Sequence, residues 1–133
     1  MRRNGLLHAE LNRVVAAMGH TDTLVIGDVG LPVPPGVPCI DLAVLPGTPP
    51  FATVFEAVYA ELAVERVTMA SEIHAKNRAM VALGERLRND GVGVDEVPHD
   101  ELKRLSARAV AIVRTGETSP YANVILHAGV TFR

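Results

Sequence analysis

Six short apolar runs recur along this chain, and stretches with helical spacing separate most of them. Five of the runs lie at 23–26, 39–44, 65–70, 109–113 and 123–126; the sixth is introduced by Gly91-Val92-Gly93-Val94 and ends near His99. Their length and their β-branched and aliphatic content predict strands. Within 8–18, Leu11, Val14, Val15 and Met18 recur at three- and four-residue steps, as do Phe51, Val54, Phe55, Val58 and Leu62 within 50–62. Each repeat lays one apolar stripe along a helix. Gly19 is placed to stop the first helix, and Pro50 to open the second, where its missing N–H costs nothing. Asn77 caps a third helix over 77–88, and 100–106 suits a short fourth. The stretch 30–38 is rich in Pro and Gly and predicts a loop. Strand and helix in alternation predict an α/β fold. The expected form is a three-layer αβα single domain over 1–133, on a mixed, mostly parallel sheet of about six strands.

A chain of 133 residues is long enough for one domain with a true core. Its hydrophobic fraction of 48% and mean hydropathy of +0.21 are high for a small soluble monomer. The excess predicts that some surface is buried against copies of the same chain. A net charge of −2 and a pI near 6.2 leave no basic footprint for nucleic acid. Two Tyr and three Phe supply no stacking platform for bases. The single cysteine, Cys39, excludes an intramolecular disulfide and a multi-cysteine zinc site. Its setting, Pro38-Cys39-Ile40-Asp41-Leu42, predicts a buried small hydrophobe. No apolar signal core follows Met1-Arg2-Arg3, and no apolar stretch reaches membrane-spanning length. The expectation is a soluble, cytoplasmic protein with no membrane partner.

Two polar islands interrupt the apolar sequence. The first is Gly19-His20-Thr21-Asp22, followed by Asp28 in Gly27-Asp28-Val29-Gly30-Leu31-Pro32; the second runs from Gly116-Glu117 through Ser119-Pro120-Tyr121-Ala122-Asn123. An imidazole, carboxylates, a phenol and an amide suit proton transfer on a small neutral polyol. His20 falls in a turn at a sheet edge, where a histidine can exchange protons near neutral pH; a turn histidine with no task is the alternative. Asp28 falls at the carboxyl end of a strand, where α/β sheets form ligand sites; it equally suits an Asx turn opening the Gly-Leu-Pro loop. Asp22 suits closure of the turn after His20. His99 sits at another strand end, with Lys103 four positions on and read as half of a solvated surface pair. Tyr121 and Asn123 are two apart, so an extended chain points them to one side, with Ala122 leaving room between. His8, His74 and His127 lack polar neighbours at a useful spacing. There is no phosphate-loop or dinucleotide motif, and Ser119 lacks a nucleophile elbow. His20, Asp22 and Asp28 lack a third histidine or a Glu-x-x-His spacing, so no metal site is expected.

Taken together, these residues resemble the D-ribose pyranase family of bacterial sugar mutarotases, which includes a fucose-specific branch. The likeness runs almost end to end. It includes Leu11-Asn12, Gly19-His20-Thr21-Asp22-Thr23-Leu24, Asp28-Val29-Gly30-Leu31-Pro32-Val33-Pro34 and Ile40-Asp41-Leu42-Ala43. It continues through His99, Arg114-Thr115-Gly116-Glu117, Ser119-Pro120-Tyr121-Ala122-Asn123-Val124-Ile125-Leu126 and Ala128-Gly129-Val130-Thr131-Phe132. The Gly-Leu-Pro loop and the Ser-Pro-Tyr-Ala-Asn segment resemble the ribose branch. One departure is Val29, where the family more often has Ala.

The resemblance implies that His20 is the proton donor and that Asp28, His99, Tyr121, Ala122 and Asn123 hold the sugar. It implies D-ribose as substrate, no cofactor, and sites where subunits meet in homo-oligomeric rings of five, alone or paired as decamers. The implied reaction converts β-D-ribopyranose to β-D-ribofuranose by acid–base ring opening and reclosure. A mutarotase for another sugar such as fucose, and a non-catalytic ribose-binding subunit, are the alternatives.

Overall fold

The computed structural model describes residues 1–132. Six strands form one sheet in the order β2-β5-β1-β6-β3-β4: β1 (Thr23–Gly27), β2 (Cys39–Asp41), β3 (Val64–Ala70), β4 (Gly93–Val97), β5 (Ala111–Arg114) and β6 (Val124–Ala128). The pairs β1–β5, β2–β5 and β3–β4 are parallel, while β6 runs antiparallel to both β1 and β3. The mixed, mostly parallel α/β sheet is therefore as expected, with β6 alone reversed.

Alternation along the strands splits the core into two faces. Leu24 and Ile26, Val67 and Met69, and Val124 and Leu126 face one side, with Leu11 and Val14 of α1 (Ala9–Ala17), Phe51, Val54, Phe55 and Val58 of α2 (Phe51–Tyr59), and Met80 and Leu87 of α4 (Arg78–Asn89). Val25, Ile112, Ile125 and Ala70 face the other side, under Leu102 of α5 (His99–Ser106) and Leu31 of the loop after β1. Three layers result, the second helical layer being a single short helix. Among the described residues, no helix is long and apolar enough to cross a membrane.

Most element boundaries differ from expectation by one to three residues. The strand expected over 39–44 stops at Asp41, because the Asp41 carboxylate accepts the Ala43 amide and turns the chain. The short helix α3 (Ile73–Lys76) went unforeseen; four residues give no readable period. Asn77 caps α4 as expected, its side chain accepting the Met80 amide at 3.2 Å. Gly19 is not the helix stop: α1 ends at Ala17, Met18 is already extended, and Thr21, at φ 75°, is the left-handed residue of the turn. Cys39 is exposed rather than buried, because β2 is a three-residue edge strand that turns only Ile40 inward.

Candidate active site

At the carboxyl edge of the parallel strands, β1 delivers Asp28 and β4 delivers His99 through Pro98. Because β6 is reversed, its amino end brings Tyr121, Ala122 and Asn123 to that same edge. Asn123 is fully buried, and its Oδ1 accepts the Asp28 backbone N–H at 2.8 Å. That bond fixes the amide orientation and leaves Nδ2, buried and without a partner among the described residues. Gly27 keeps this contact possible, since a Cβ there would press on Leu31 and on Asn123 Oδ1.

The Asp28 carboxylate accepts the Gly30 amide at 2.9 Å, so the Asx turn is present. The same turn directs the chain into the Gly-Leu-Pro loop. His99 begins α5. Its amide donates to both oxygens of Glu72 at 3.1 Å. Burial opposes charge on Glu72, but the His99 amide and Ser71 bonds hold the carboxyl below the usual glutamate range. The His99 ring stands edge-on to Tyr121, with centroids 5.1 Å apart, and its Nδ1 is buried without a partner among the described residues. Tyr121 is not in extended chain: its φ is 57°, so the expected same-side alternation with Asn123 fails. The left-handed residue instead turns the phenol ring toward His99.

The remainder of the second polar island is scaffold. Glu117 Oε1 accepts the Phe51 amide and Oε2 the Ser119 amide, each at 3.0 Å. It thereby caps α2, whose own N-cap, Pro50, has no side-chain acceptor. Burial raises the Glu117 carboxyl, but these amides outweigh it and leave the pKa lowered. Thr115 Oγ1 donates to the Gly27 carbonyl at 2.8 Å, and Gly116 lies so close to the Thr48 backbone that no side chain fits. Asn77 Nδ2 donates to the Pro120 carbonyl at 2.8 Å and to Ser119 Oγ at 3.1 Å. The structural roles of Glu72, Glu117 and Asn77 toward the site went unread, because each acts over 27 residues or more of sequence.

His20 is elsewhere. It occupies the turn before β1, where Thr21 N–H donates to the Ala128 carbonyl at 3.0 Å, at the far end of β6. Asp22 closes that turn by accepting the Gly19 amide at 2.9 Å. The five residues of β1 separate the two ends by roughly 16 Å at about 3.3 Å per residue. His20 is exposed, beside a depression of about 320 Å³ lined by Leu62, Val130 and Phe132. One chain therefore gathers Asp28, His99, Tyr121, Ala122 and Asn123 but leaves His20 at the opposite edge.

A second cleft, apolar and about 310 Å³, lies between α2 and α4 and touches Ala122 alone of those six residues. It is apart from the polar cluster, where the unpartnered buried atoms of His99 and Asn123 lie. The other histidines have partners, those of His74 and His127 on distant strands and that of His8 on its own helix. His8 caps α1, His74 meets Glu96 at 2.7 Å, and His127 bridges Arg66 and Thr68. Lys103 pairs with Asp100 at 3.3 Å, as a surface pair should.

Residues 1–131 match the model of the RbsD / FucU transport protein family. A D-ribose pyranase of Symbiobacterium thermophilum is 56% identical over 132 residues, covering 99% of this chain and 100% of that protein. A D-ribose pyranase of Laribacter hongkongensis is 51% identical over 132 residues, again with 99% and 100% coverage. The structure of Bacillus subtilis RbsD complexed with D-ribose superposes with a TM-score of 0.93 at 44% identity, covering 99% of this chain and 100% of that one. With the sequence matched over residues 1–131 and the fold in agreement, this chain belongs to the RbsD / FucU family.

Proposed function

We infer that the protein is a D-ribose pyranase, interconverting β-D-ribopyranose and β-D-ribofuranose. The observation that carries this is the pair of buried polar atoms without partners, His99 Nδ1 and Asn123 Nδ2, in the cluster with Asp28 and Tyr121. Buried polar groups call for partners, and a sugar presents hydroxyls that both donate and accept. Family membership and the full-length relatives named D-ribose pyranase support the same reaction.

Ring opening breaks the C1–O5 bond. O5 takes the electron pair and a proton, while the C1 hydroxyl gives up its proton and becomes the aldehyde. Reclosure adds O4 to C1; the carbonyl oxygen regains a proton and O4 loses one. No carbon changes its overall oxidation state, so positioned acids and bases suffice, and each typically contributes about 10²- to 10⁴-fold. His20 delivers the proton to O5. Asp28, His99, Tyr121, Ala122 and Asn123 hold the sugar. The chemistry calls for no cofactor.

Since His20 and the sugar-holding cluster occupy opposite sheet edges, a second copy completes the site head to tail. Exposed Val33, Val44 and Leu45 lie on loops at the cluster's edge, and exposed Val130 and Phe132 flank His20. Those apolar residues give such a contact something to bury. A ring of five, alone or paired as a decamer, fits the family resemblance. We take the chain as a single cytoplasmic sugar-mutarotase domain.

Exchange NMR on ribose tests this. The wild type should accelerate pyranose–furanose exchange above the buffer rate. His20→Ala should abolish the acceleration while ribose affinity stays within a few fold. Binding without acceleration in the wild type would make the protein a ribose-binding subunit instead.

A further inference from the structure

Glu65 lies at the exposed start of β3, and its Oε2 is 3.2 Å from Nε2 of His20 across 45 residues of sequence. Each side chain is about half exposed in the single chain. Their approach is built rather than incidental. The turn carrying His20 is clamped at three points: Gly19 N–H to the Asp22 carboxylate, Asp22 N–H to the Gly19 carbonyl, and Thr21 N–H to the Ala128 carbonyl. On the other side, Gly129 N–H donates to the Ala63 carbonyl at 2.8 Å. A Cβ on Gly129 would stand 3.0 Å from the Glu65 Cβ. The glycine leaves the space through which Glu65 reaches the imidazole.

An ionised carboxylate only accepts hydrogen bonds, so Nε2 must carry the hydrogen in this pair. The bond made by one ring nitrogen sets what the other can do. With Nε2 held, Nδ1 is the nitrogen left to face a substrate.

We propose that Glu65 is a positioning residue for His20, holding Nε2 so that Nδ1 exchanges the proton with the sugar ring oxygen. This rests on the assignment of His20 as the acid. In the cationic ring, Nδ1–H gives its proton to O5 as the C1–O5 bond breaks, and the neutral ring stays tethered through Nε2–H. Closure of a second copy over the pair removes water from it and strengthens the tether.

The test compares Glu65→Ala, Glu65→Gln and His20→Ala by exchange NMR at saturating ribose, with calorimetric titration and light scattering on each. Glu65→Ala should lower kcat about tenfold, the low end for a hydrogen bond to a charged group in a partly exposed pair. Ribose affinity and assembly size should not change. Glu65→Gln keeps an acceptor for Nε2–H and should recover most of the rate. A Glu65→Ala rate equal to wild type overturns the proposal. So does a Glu65→Gln as slow as Glu65→Ala, or a loss that tracks a change in assembly. Wild-type exchange in His20→Ala would instead defeat the acid assignment itself; an inactive His20→Ala beside a fully active Glu65→Ala would defeat only the role of Glu65.

Discussion

Asn123→Ala separates two jobs that the wild-type amide performs with its two ends. Oδ1 accepts the Asp28 amide at 2.8 Å, and Nδ2 is the buried, unpartnered donor that the proposed site would offer to the sugar. Truncation leaves the Asp28 N–H without its acceptor, which costs about 1–3 kcal/mol of folding stability. A domain of this size has about 5–15 kcal/mol in hand, so the variant should fold with a lower denaturant midpoint. Losing the Nδ2 bond to a neutral hydroxyl costs about 0.5–1.5 kcal/mol of binding. That converts to a rise in Kd of about 2- to 13-fold. The rate at saturation should change little, because Asn123 delivers no proton.

Three measurements on one preparation check this: urea unfolding, calorimetric titration with ribose, and exchange NMR at saturating sugar. The expected signature is lower stability, weaker binding and a nearly unchanged saturated rate. Lower stability with unchanged Kd would make Asn123 a clamp for Asp28 alone and refute its contact with substrate. A collapse of the saturated rate with unchanged Kd would move Asn123 into the proton-transfer step.

Glu117→Ala should cost about 1.5–3 kcal/mol in urea unfolding, because two backbone amides lose a charged acceptor. Since the folded Glu117 pKa is lowered, its contribution is present above the unfolded glutamate pKa of about 4.3 and is lost as pH falls through the folded value; Glu117→Gln should flatten that part of the stability profile. His127 is lowered chiefly by burial and then by Arg66, so the fold prefers the neutral ring. Stability should fall as pH drops below about 6.5, at most about 1.4 kcal/mol per pH unit for one proton, and His127→Gln should remove this slope. Cys39→Ser with a strong chelator present should leave ribose exchange unchanged; loss of turnover restored by one specific metal would contradict the proposed chemistry.

The fold was legible because its signals are local. The periods in α1 and α2 and the apolar runs of β1 and β5 each lie within a few residues, and the cap at Asn77 lies three residues from the amide it binds. Asp28 was legible as a strand-end carboxylate for the same reason. Cys39 and Tyr121 were misread because their environments depend on partners elsewhere. An edge strand exposes what an inner strand would bury, and a left-handed turn breaks the period-two rule on which pairing Tyr121 with Asn123 relied. Glu65, Glu72 and Glu117 carry no local signal of their long-range roles. Each is an ordinary charged residue with a partner 45, 27 or 66 positions away.

The reversal of β6 is the feature that ties these observations together. In an all-parallel sheet, every strand would bring its carboxyl end to one edge and its amino end to the other. Here Tyr121, Ala122 and Asn123 precede a strand, yet they meet Asp28 and His99, which follow strands. The opposite end of the same strand, at Ala128, anchors the His20 turn, and Gly129 just beyond it makes room for Glu65. One five-residue strand thus supports the polar cluster at one end and the imidazole–carboxylate pair at the other. Its length keeps the two apart within a chain. The head-to-tail contact we propose between copies would bring them together without bending the sheet, and it would make catalysis a property of the assembly rather than of the isolated domain.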